Sequence, residues 1–436
     1  MNNMRLSVAG GAAIILFLAG CQTSDPTLVS RPKVKLGVEV LLDERLDLLR
    51  GKHVGLITNP SGIDSQCRSI VDLFARRPEF KLTALFGPEH GVRGDAQAGQ
   101  HVPFYFDDKY HLPVFSLYGQ THKPPPAMLT NMDEYMRSFD TSHTDKTPPP
   151  GTLQGVDVMV FDMQDVGVRV YTYIATMASA MQACAESGIP FIVLDRPNPI
   201  NGVALEGPIL EYPEYSSFVG LYATPIRHGL TIGELALLFN DRFQKKKAPL
   251  TVVPMKGWRR YQWYDDTHLP WVMPSPNMPT LETATVYAGQ VYFEGTNLSE
   301  GRGTTRPFEI FGAAWIDGFE LARTLNALKL PGVAFRETWF TPTFSKFKDE
   351  RCGGCQVQVL DRNAYQPLTT TLHIIQTVRA MYPDKFQFHT NYFDKIMGTA
   401  KVRQALEKGT PVAQIVATFQ PGLAEFRTLR KPYLLY

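Results

Sequence analysis

The chain has 436 residues, 44 Lys and Arg against 42 Asp and Glu, and 18 Tyr with 5 Trp. That length exceeds one ordinary core and predicts two domains. Charge is close to balanced, and nothing in the sequence marks a nucleic-acid-binding surface. The aromatics suit either ordinary cores or a groove lined with rings.

The N-terminus reads as a targeting segment. Arg5 supplies a positive start, and Val8 to Ala19 is an apolar run too short to span a bilayer comfortably. It ends in Leu18-Ala19-Gly20-Cys21, which resembles a bacterial lipobox. Residues 1–20 are therefore expected to be a signal peptide, and Cys21 the lipidated residue. Gln22, not Asp, follows, which by the same resemblance points to the periplasmic face of a Gram-negative outer membrane. Residues 21–50 read as the lipidated cysteine and a tether, flexible over Thr23 to Lys35.

From His53 the pattern is strand, turn, helix, repeated. Strands are expected at His53–Thr58, Leu82–Phe86, Pro113–Tyr118, Val156–Phe161, Pro190–Leu194 and Leu250–Pro254. Helices are expected at Ser69–Arg77, Thr172–Ser187 and Thr231–Phe243, the last opened by a Thr231/Glu234 capping box. Apolar strands without alternation, separated by helices, predict a mostly parallel, Rossmann-like α/β sheet over residues 51–270. A proline-rich insertion at about residues 120–152, with KPPPAML echoed by KTPPPGTL, interrupts it and is a candidate flap.

After Trp271 the chain changes character. Pro274-Ser275-Pro276-Asn277-Met278-Pro279 reads as a rigid connector, and residues 271–436 as a smaller α+β domain. Val291 to Thr305 is a glycine-rich polar loop. Gly318–Leu328 and Thr370–Met381 read as helices, and Gln356–Leu360 as a strand. Cys352-Gly-Gly-Cys355 has no second pair or His cluster beside it, so a disulfide or two free thiols are expected in preference to zinc. The terminal Tyr433-Leu434-Leu435-Tyr436 is expected to pack.

Ligands of open parallel sheets bind beyond the carboxyl ends of the strands. Asn59, Glu89, Asp162, Asp165, Asp195 and Arg196 all follow predicted strand ends. The stretch LTALFGPEHGVRGDAQAG places Glu89, His90, Arg93 and Asp95 on one glycine-punctuated turn. The chain has no G-x-S-x-G, P-loop, G-x-G-x-x-G or H-E-x-x-H. What remains is carboxylates, amides, arginines and aromatics, a set that fits acid/base cleavage of a glycosidic bond without cofactor or metal. A metal-dependent hydrolase using Glu89, His90, Asp162 and Asp165 is a weaker alternative, since few histidines lie near them.

LITNPSGID, FGPEHGVRGDAQAG, VFDMQDVGVRVYTYI, LDRPNPING, EGPIL, RHGLTIGELA, PSPNMPT, EGTNLSEGRGTT and the final YLLY resemble the NamZ family, from about Gly51 to the end. The resemblance implies an exo-acting β-N-acetylmuramidase that removes N-acetylmuramic acid from non-reducing ends of peptidoglycan fragments. It also implies a cleft between a Rossmann-like domain and a smaller C-terminal one. Carried onto this chain, it makes Glu89 the first catalytic candidate, with Glu294, Glu300 or Asp165 as the second carboxyl. Asn59, His90, Arg93, Gln164, Arg169, Arg196, Asn198, Asn297 and Arg302 are the substrate-binding candidates. An arginine among Arg93, Arg169, Arg196 and Arg302 is expected to meet the lactyl carboxylate of muramic acid. Asp195 either serves the site or only holds Arg196. The expanded link between LYG and GVDV departs from the family pattern and bears on the cleft entrance. A non-catalytic peptidoglycan-binding lipoprotein is the competing reading.

Overall fold

The computed structural model describes residues 34–119, 122–136 and 155–436. The expected signal peptide, Cys21 and most of the proline-rich insertion lie outside the described residues.

Seven strands form the first sheet: β1 (His53–Thr58), β2 (Lys81–Gly87), β3 (Tyr105–Phe106), β4 (Pro113–Ser116), β5 (Val158–Asp162), β6 (Phe191–Leu194) and β7 (Leu250–Val253). Their order is β3-β4-β2-β1-β5-β6-β7, parallel throughout except for the antiparallel edge strand β3. The central strands are apolar on both faces because helices cover both; every residue of β5 and β6 is buried. Register aligns Thr58 with Asp162 and Gly87 with Ser116, so the loops after β1, β2, β4 and β5 leave one edge together.

The helices follow in chain order. α1 (Gly37–Glu44) precedes β1, and α2 (Ile70–Ala75) starts at Ser69, whose hydroxyl caps Val71 N–H. The short α3 (Pro126–Thr130) and α4 (Met132–Met136) are the described part of the insertion. α5 (Tyr173–Ser187) ends on Gly188 at φ +71°, and α6 (Ile232–Arg242) opens with the expected Thr231/Glu234 capping box.

The expected tether is corrected from Val34 onward. Val34, Leu36, Val38, Val40 and Leu41 are buried, and α1 packs on β6 and β7. Lys35 exchanges two 2.9 Å backbone hydrogen bonds with Lys256, and Gly37 N–H donates to Asp195 O. A Cβ on Gly37 would lie 2.4 Å from Asp195 N, so glycine permits this approach. Residues 34–50 thus belong to the first domain because their apolar side chains complete its core.

The second domain begins with α7 (Leu281–Gln290), which runs into a 3-10 turn at Val291–Gly295. Next come β8 (Ile310–Ala313), α8 (Gly318–Ala327), β9 (Val333–Phe340) and β10 (Cys352–Val359), then α9 (Pro367–Met381) and α10 (Thr390–Met397). The three strands form an antiparallel sheet in the order β8-β10-β9. β9 and α7 escaped the sequence reading, and β10 is longer than expected. Cys352 and Cys355 are both free. Three apart on an extended strand, they point to opposite faces and cannot bridge.

The terminal residues return to the first domain. Tyr436 Oη donates to Asp195 Oδ2 at 2.7 Å and accepts from Met255 N–H at 2.8 Å. Leu435 N–H donates to Glu234 Oε1 at 2.8 Å.

Candidate active site

β2 ends at Gly87, and the chain turns at once through Pro88, Glu89 and His90. His90 is left-handed at φ +74°, followed by Gly91 at +76°. Such a backbone is uncommon for a residue with a Cβ and marks a locally over-determined turn. It is held by the ring itself, whose Nδ1 donates to Ala96 O at 2.7 Å. That bond leaves Nε2 as the acceptor of a neutral imidazole. Burial lowers the His90 pKa, and nearby Arg302 acts in the same direction.

Glu89 is buried and held by neutral donors. Its Oε1 accepts Gly99 N–H at 3.0 Å, and its Oε2 accepts the Thr172 hydroxyl at 2.9 Å. Tyr118, just after β4, hydrogen-bonds to the same carboxylate. Burial, then the Glu89 charge, push its phenol up to about 12, so it stays a donor. Among the described residues no lysine or arginine pairs with Glu89.

The second domain contributes a charged network. Glu294, on the 3-10 turn after α7, accepts Arg302 Nη2 at 2.7 Å and the Tyr392 hydroxyl of α10 at 3.1 Å. Glu300 Oε2 accepts Lys346 Nζ at 3.0 Å, and its Oε1 lies 3.5 Å from Arg302 Nε. Lys346 Nζ spends its other two donors on Phe293 O and Leu298 O, at 2.6 and 2.8 Å. Burial disfavours the Arg302 cation, but Glu294 and Glu300 more than offset it and raise its pKa above the ordinary guanidinium value. Tyr392 is raised by burial and then by Glu294, and remains protonated.

These groups share one cavity of about 680 Å³. Glu89, His90 and Tyr118 line it from the first domain, and Glu294, Arg302 and Tyr392 from the second. Tyr171, Tyr173, Phe218, Tyr287 and Phe308 add an aromatic wall. Asn277 and His122 also line it, and each carries a buried side-chain nitrogen with no hydrogen-bond partner among the described residues. An unpaired buried polar group costs about 1–3 kcal/mol, and these two lie where a polar ligand in the cavity could pair with them.

The model of the N-terminal domain of the exo-β-N-acetylmuramidase NamZ matches residues 54–140 and 136–282. The model of its C-terminal domain matches residues 285–436. The chain belongs to the NamZ family. It is 51% identical over 407 residues to the peptidoglycan β-N-acetylmuramidase NamZ of Bacillus subtilis, covering 93% of this chain and 92% of the relative. Two crystal structures of DUF1343 family proteins from Bacteroides fragilis share the fold. One is 38% identical with a TM-score of 0.81 over 93% of this chain and 99% of its own. The other is 29% identical with a TM-score of 0.70 over 92% of this chain and 99% of its own. The two NamZ models meet between residues 282 and 285, where α7 begins, and the cavity draws its walls from both.

Of the site residues expected from sequence, Glu89, His90, Glu294, Glu300 and Arg302 line this cavity. The others do not, and each has a visible alternative occupation. Arg196 is buried, grips Asp162 through Nε and Nη2 at 2.6 and 2.8 Å, and donates to Ile63 O. Arg93 pairs with Asp107. Arg169 donates to Pro208 O and Thr224 O and, across the domains, to Ile396 O and Met397 O. Gln164 donates to Asp165 O and Pro197 O, both at 2.7 Å. Asn59 ties Pro274 O to Ser61, and Asn198 ties Leu230 O to Ile200 N–H. Asn297 spans Lys385 O and Gln387 N–H.

Asp165 also lies outside the cavity lining. Its Oδ2 accepts Gly167 N–H at 2.6 Å, and burial pushes its pKa up to about 7. His228 Nε2 lies 3.8 Å away, on a ring that burial lowers to about 3. Asp195 holds Thr231, Gly233 and Tyr436, and only its neighbour's backbone N–H comes from Arg196. Among the described residues no three of His, Cys, Asp and Glu are grouped so as to hold a metal ion, and Asp162 and Asp165 do not line the cavity with Glu89 and His90.

Sequence reading passed over Tyr118, Thr172, Asn277, Lys346 and Tyr392. Asn277 did carry a signal, standing in the PSPN run that reads as a rigid connector. Lys346 and Tyr392 stand in no motif, and only the fold brings them to Glu300 and Glu294.

Proposed function

We propose that the chain is an exo-acting β-N-acetylmuramidase that frees N-acetylmuramic acid from the non-reducing end of peptidoglycan fragments, with Glu89 and Glu294 as its working carboxyls. The observation that carries this reading is the pair itself: two carboxylates, one from each domain, held in one cavity in contrasting surroundings. Glycoside hydrolysis needs one carboxyl to protonate the departing oxygen and another to act as base or nucleophile. Among the described residues Glu89 is held by neutral donors and by no ion pair, which suits it to the first role. Glu294 accepts from Arg302 and Tyr392, and this charged, hydrogen-bonded setting suits it to the second role. Glu300, clamped by Lys346 and Arg302, is the counter-charge that fixes Arg302.

Arg302 is the one arginine of the four candidates in the cavity wall, and it supports recognition of the lactyl carboxylate through the N–H groups that Glu294 leaves free. Asn277 and His122 offer unpaired nitrogens for acetamido or hydroxyl oxygens. The aromatic wall fits the apolar faces of a sugar ring. At the N-terminus, the Leu18-Ala19-Gly20-Cys21 run supports lipid attachment at Cys21 and a periplasmic, outer-membrane location. Loss of acylation in Cys21→Ala, read by mass spectrometry, tests that placement.

The activity is tested with a disaccharide bearing N-acetylmuramic acid at its non-reducing end. Free N-acetylmuramic acid is the expected product. Tight binding of the intact disaccharide with no product would instead support a non-catalytic peptidoglycan-binding lipoprotein.

A further inference from the structure

The second domain exposes an aromatic pair that the catalytic reading does not use. Phe319, in the first turn of α8, is 60% exposed, and Trp339, near the end of the edge strand β9, is 40% exposed. Their ring centroids are 4.7 Å apart at an interplanar angle of 60°. The Arg351 guanidinium stands 5.9 Å from the Trp339 ring centroid. Large rings left together in water on an edge strand call for a reason.

The loop between β9 and β10 ties this pair to the cavity. Trp339 stands at its entry and Arg351 at its exit, while Phe344, Ser345 and Lys346 at its tip line the cavity. The tip is fastened: Thr343 N–H donates to Gly303 O at 2.9 Å, and Lys346 holds Glu300. Phe344 is itself 37% exposed. Trp339 and Phe344 are five positions apart, a reach of at most about 18 Å. Phe344 at the cavity wall and Trp339 thus lie on one strand-and-loop segment, with Phe319 of α8 packed beside Trp339.

We propose that Phe344, Trp339 and Phe319 form an aromatic track that binds the glycan on the leaving-group side of the cleaved bond, beyond the sugar next to that bond. The proposal rests on the glycosidase reading of the cavity. The C–H face of a pyranose stacks on such rings while its hydroxyls stay in water. Arg351 stands where it can meet the carboxylate of a downstream muramic acid. A second copy of the chain is a poorer occupant. The three rings together expose on the order of 300 Å², well short of the ~800 Å² per partner of a stable interface.

The test compares two substrates in wild type and in a Phe319→Ala/Trp339→Ala variant, leaving Phe344 in place because it lines the cavity. One substrate is the 4-nitrophenyl glycoside of N-acetylmuramic acid, which ends at the leaving group. The other is a muramic-acid-terminated tetrasaccharide. The track predicts unchanged kcat and KM on the nitrophenyl glycoside and a roughly tenfold higher KM on the tetrasaccharide, the scale of one ring contact. Trp339→Tyr should recover most of the loss. Equal KM values for the tetrasaccharide in wild type and variant would overturn the track. So would a wild-type dimer, seen by light scattering, that the variant abolishes. If wild type cleaved neither substrate, the glycosidase reading would fail. Tetrasaccharide binding measured by calorimetry, with or without loss in the variant, would then still decide the track.

Discussion

Asp165→Asn separates a catalytic carboxyl from one that shapes a loop. Asp165 is buried beside Gly167, Val166 and His228, and burial raises its pKa from 3.8 to about 7. The folded chain therefore binds this proton more tightly than the unfolded chain. The stability linked to it is fully present below about pH 4 and is lost as pH rises through about 7. The slope is roughly 1.4 kcal/mol per pH unit, for a total on the order of 4 kcal/mol. Asparagine keeps an oxygen for Gly167 N–H and titrates nothing. His228, lowered to about 3 by burial, stays neutral across the window and does not blur the comparison. Urea unfolding of both proteins between about pH 4 and 7 should show the variant gaining about 4 kcal/mol relative to wild type. Muramic acid release at neutral pH should stay near the wild-type rate. A stability difference that does not change with pH would refute the burial argument. A rate loss of a hundredfold or more would return Asp165 to the chemistry.

Three further outcomes follow from the same contacts. Arg196→Met strands the buried Asp162 carboxylate and should cost about 3–5 kcal/mol of stability, with KM for the disaccharide unchanged; a raised KM at intact stability would mean that Arg196 meets substrate after all. Tyr392→Phe removes a donor from Glu294 and should lower kcat/KM about 10- to 100-fold, read from steady-state rates on the disaccharide. Burial pushes the Cys184, Cys352 and Cys355 thiols up to about 12, 11 and 12. Of the four cysteines after Cys21, only the exposed Cys67 should react with iodoacetamide in the folded chain, which peptide mass spectrometry will show.

Much of the sheet was legible because its strands are short, unbroken apolar runs ended by Asn-Pro, Gly-Pro or Asp-x-x-Asp. The topological rule also held in part: polar residues do gather at one edge of the sheet. It over-read their purpose, since Asp162 and Arg196 satisfy each other there and Asn59, Gln164 and Asn198 satisfy loop carbonyls. Burial decides between these outcomes, and burial is not written in a local motif. The tether failed for a similar reason. Val34, Leu36 and Val38 look like a linker in isolation and become core only when β6 and β7 stand beside them. β9 was missed because its residues run half-exposed at an edge, without clean alternation. Tyr392 and Lys346 reach the cavity across about 98 and 46 residues of chain from their partners, a distance no local reading spans.

The central claim is that Glu89 delivers the proton to the departing sugar oxygen. The direct measurement is the first-turnover rate of bond cleavage by Glu89→Gln on two substrates, the muramic-acid-terminated disaccharide and the nitrophenyl glycoside. A sugar alcohol leaves only when protonated, whereas nitrophenolate leaves unaided. The account predicts a loss of a hundredfold or more on the disaccharide and near-wild-type cleavage of the nitrophenyl glycoside. Equal rates for wild type and variant on the disaccharide, or an equal loss on both substrates, would contradict it.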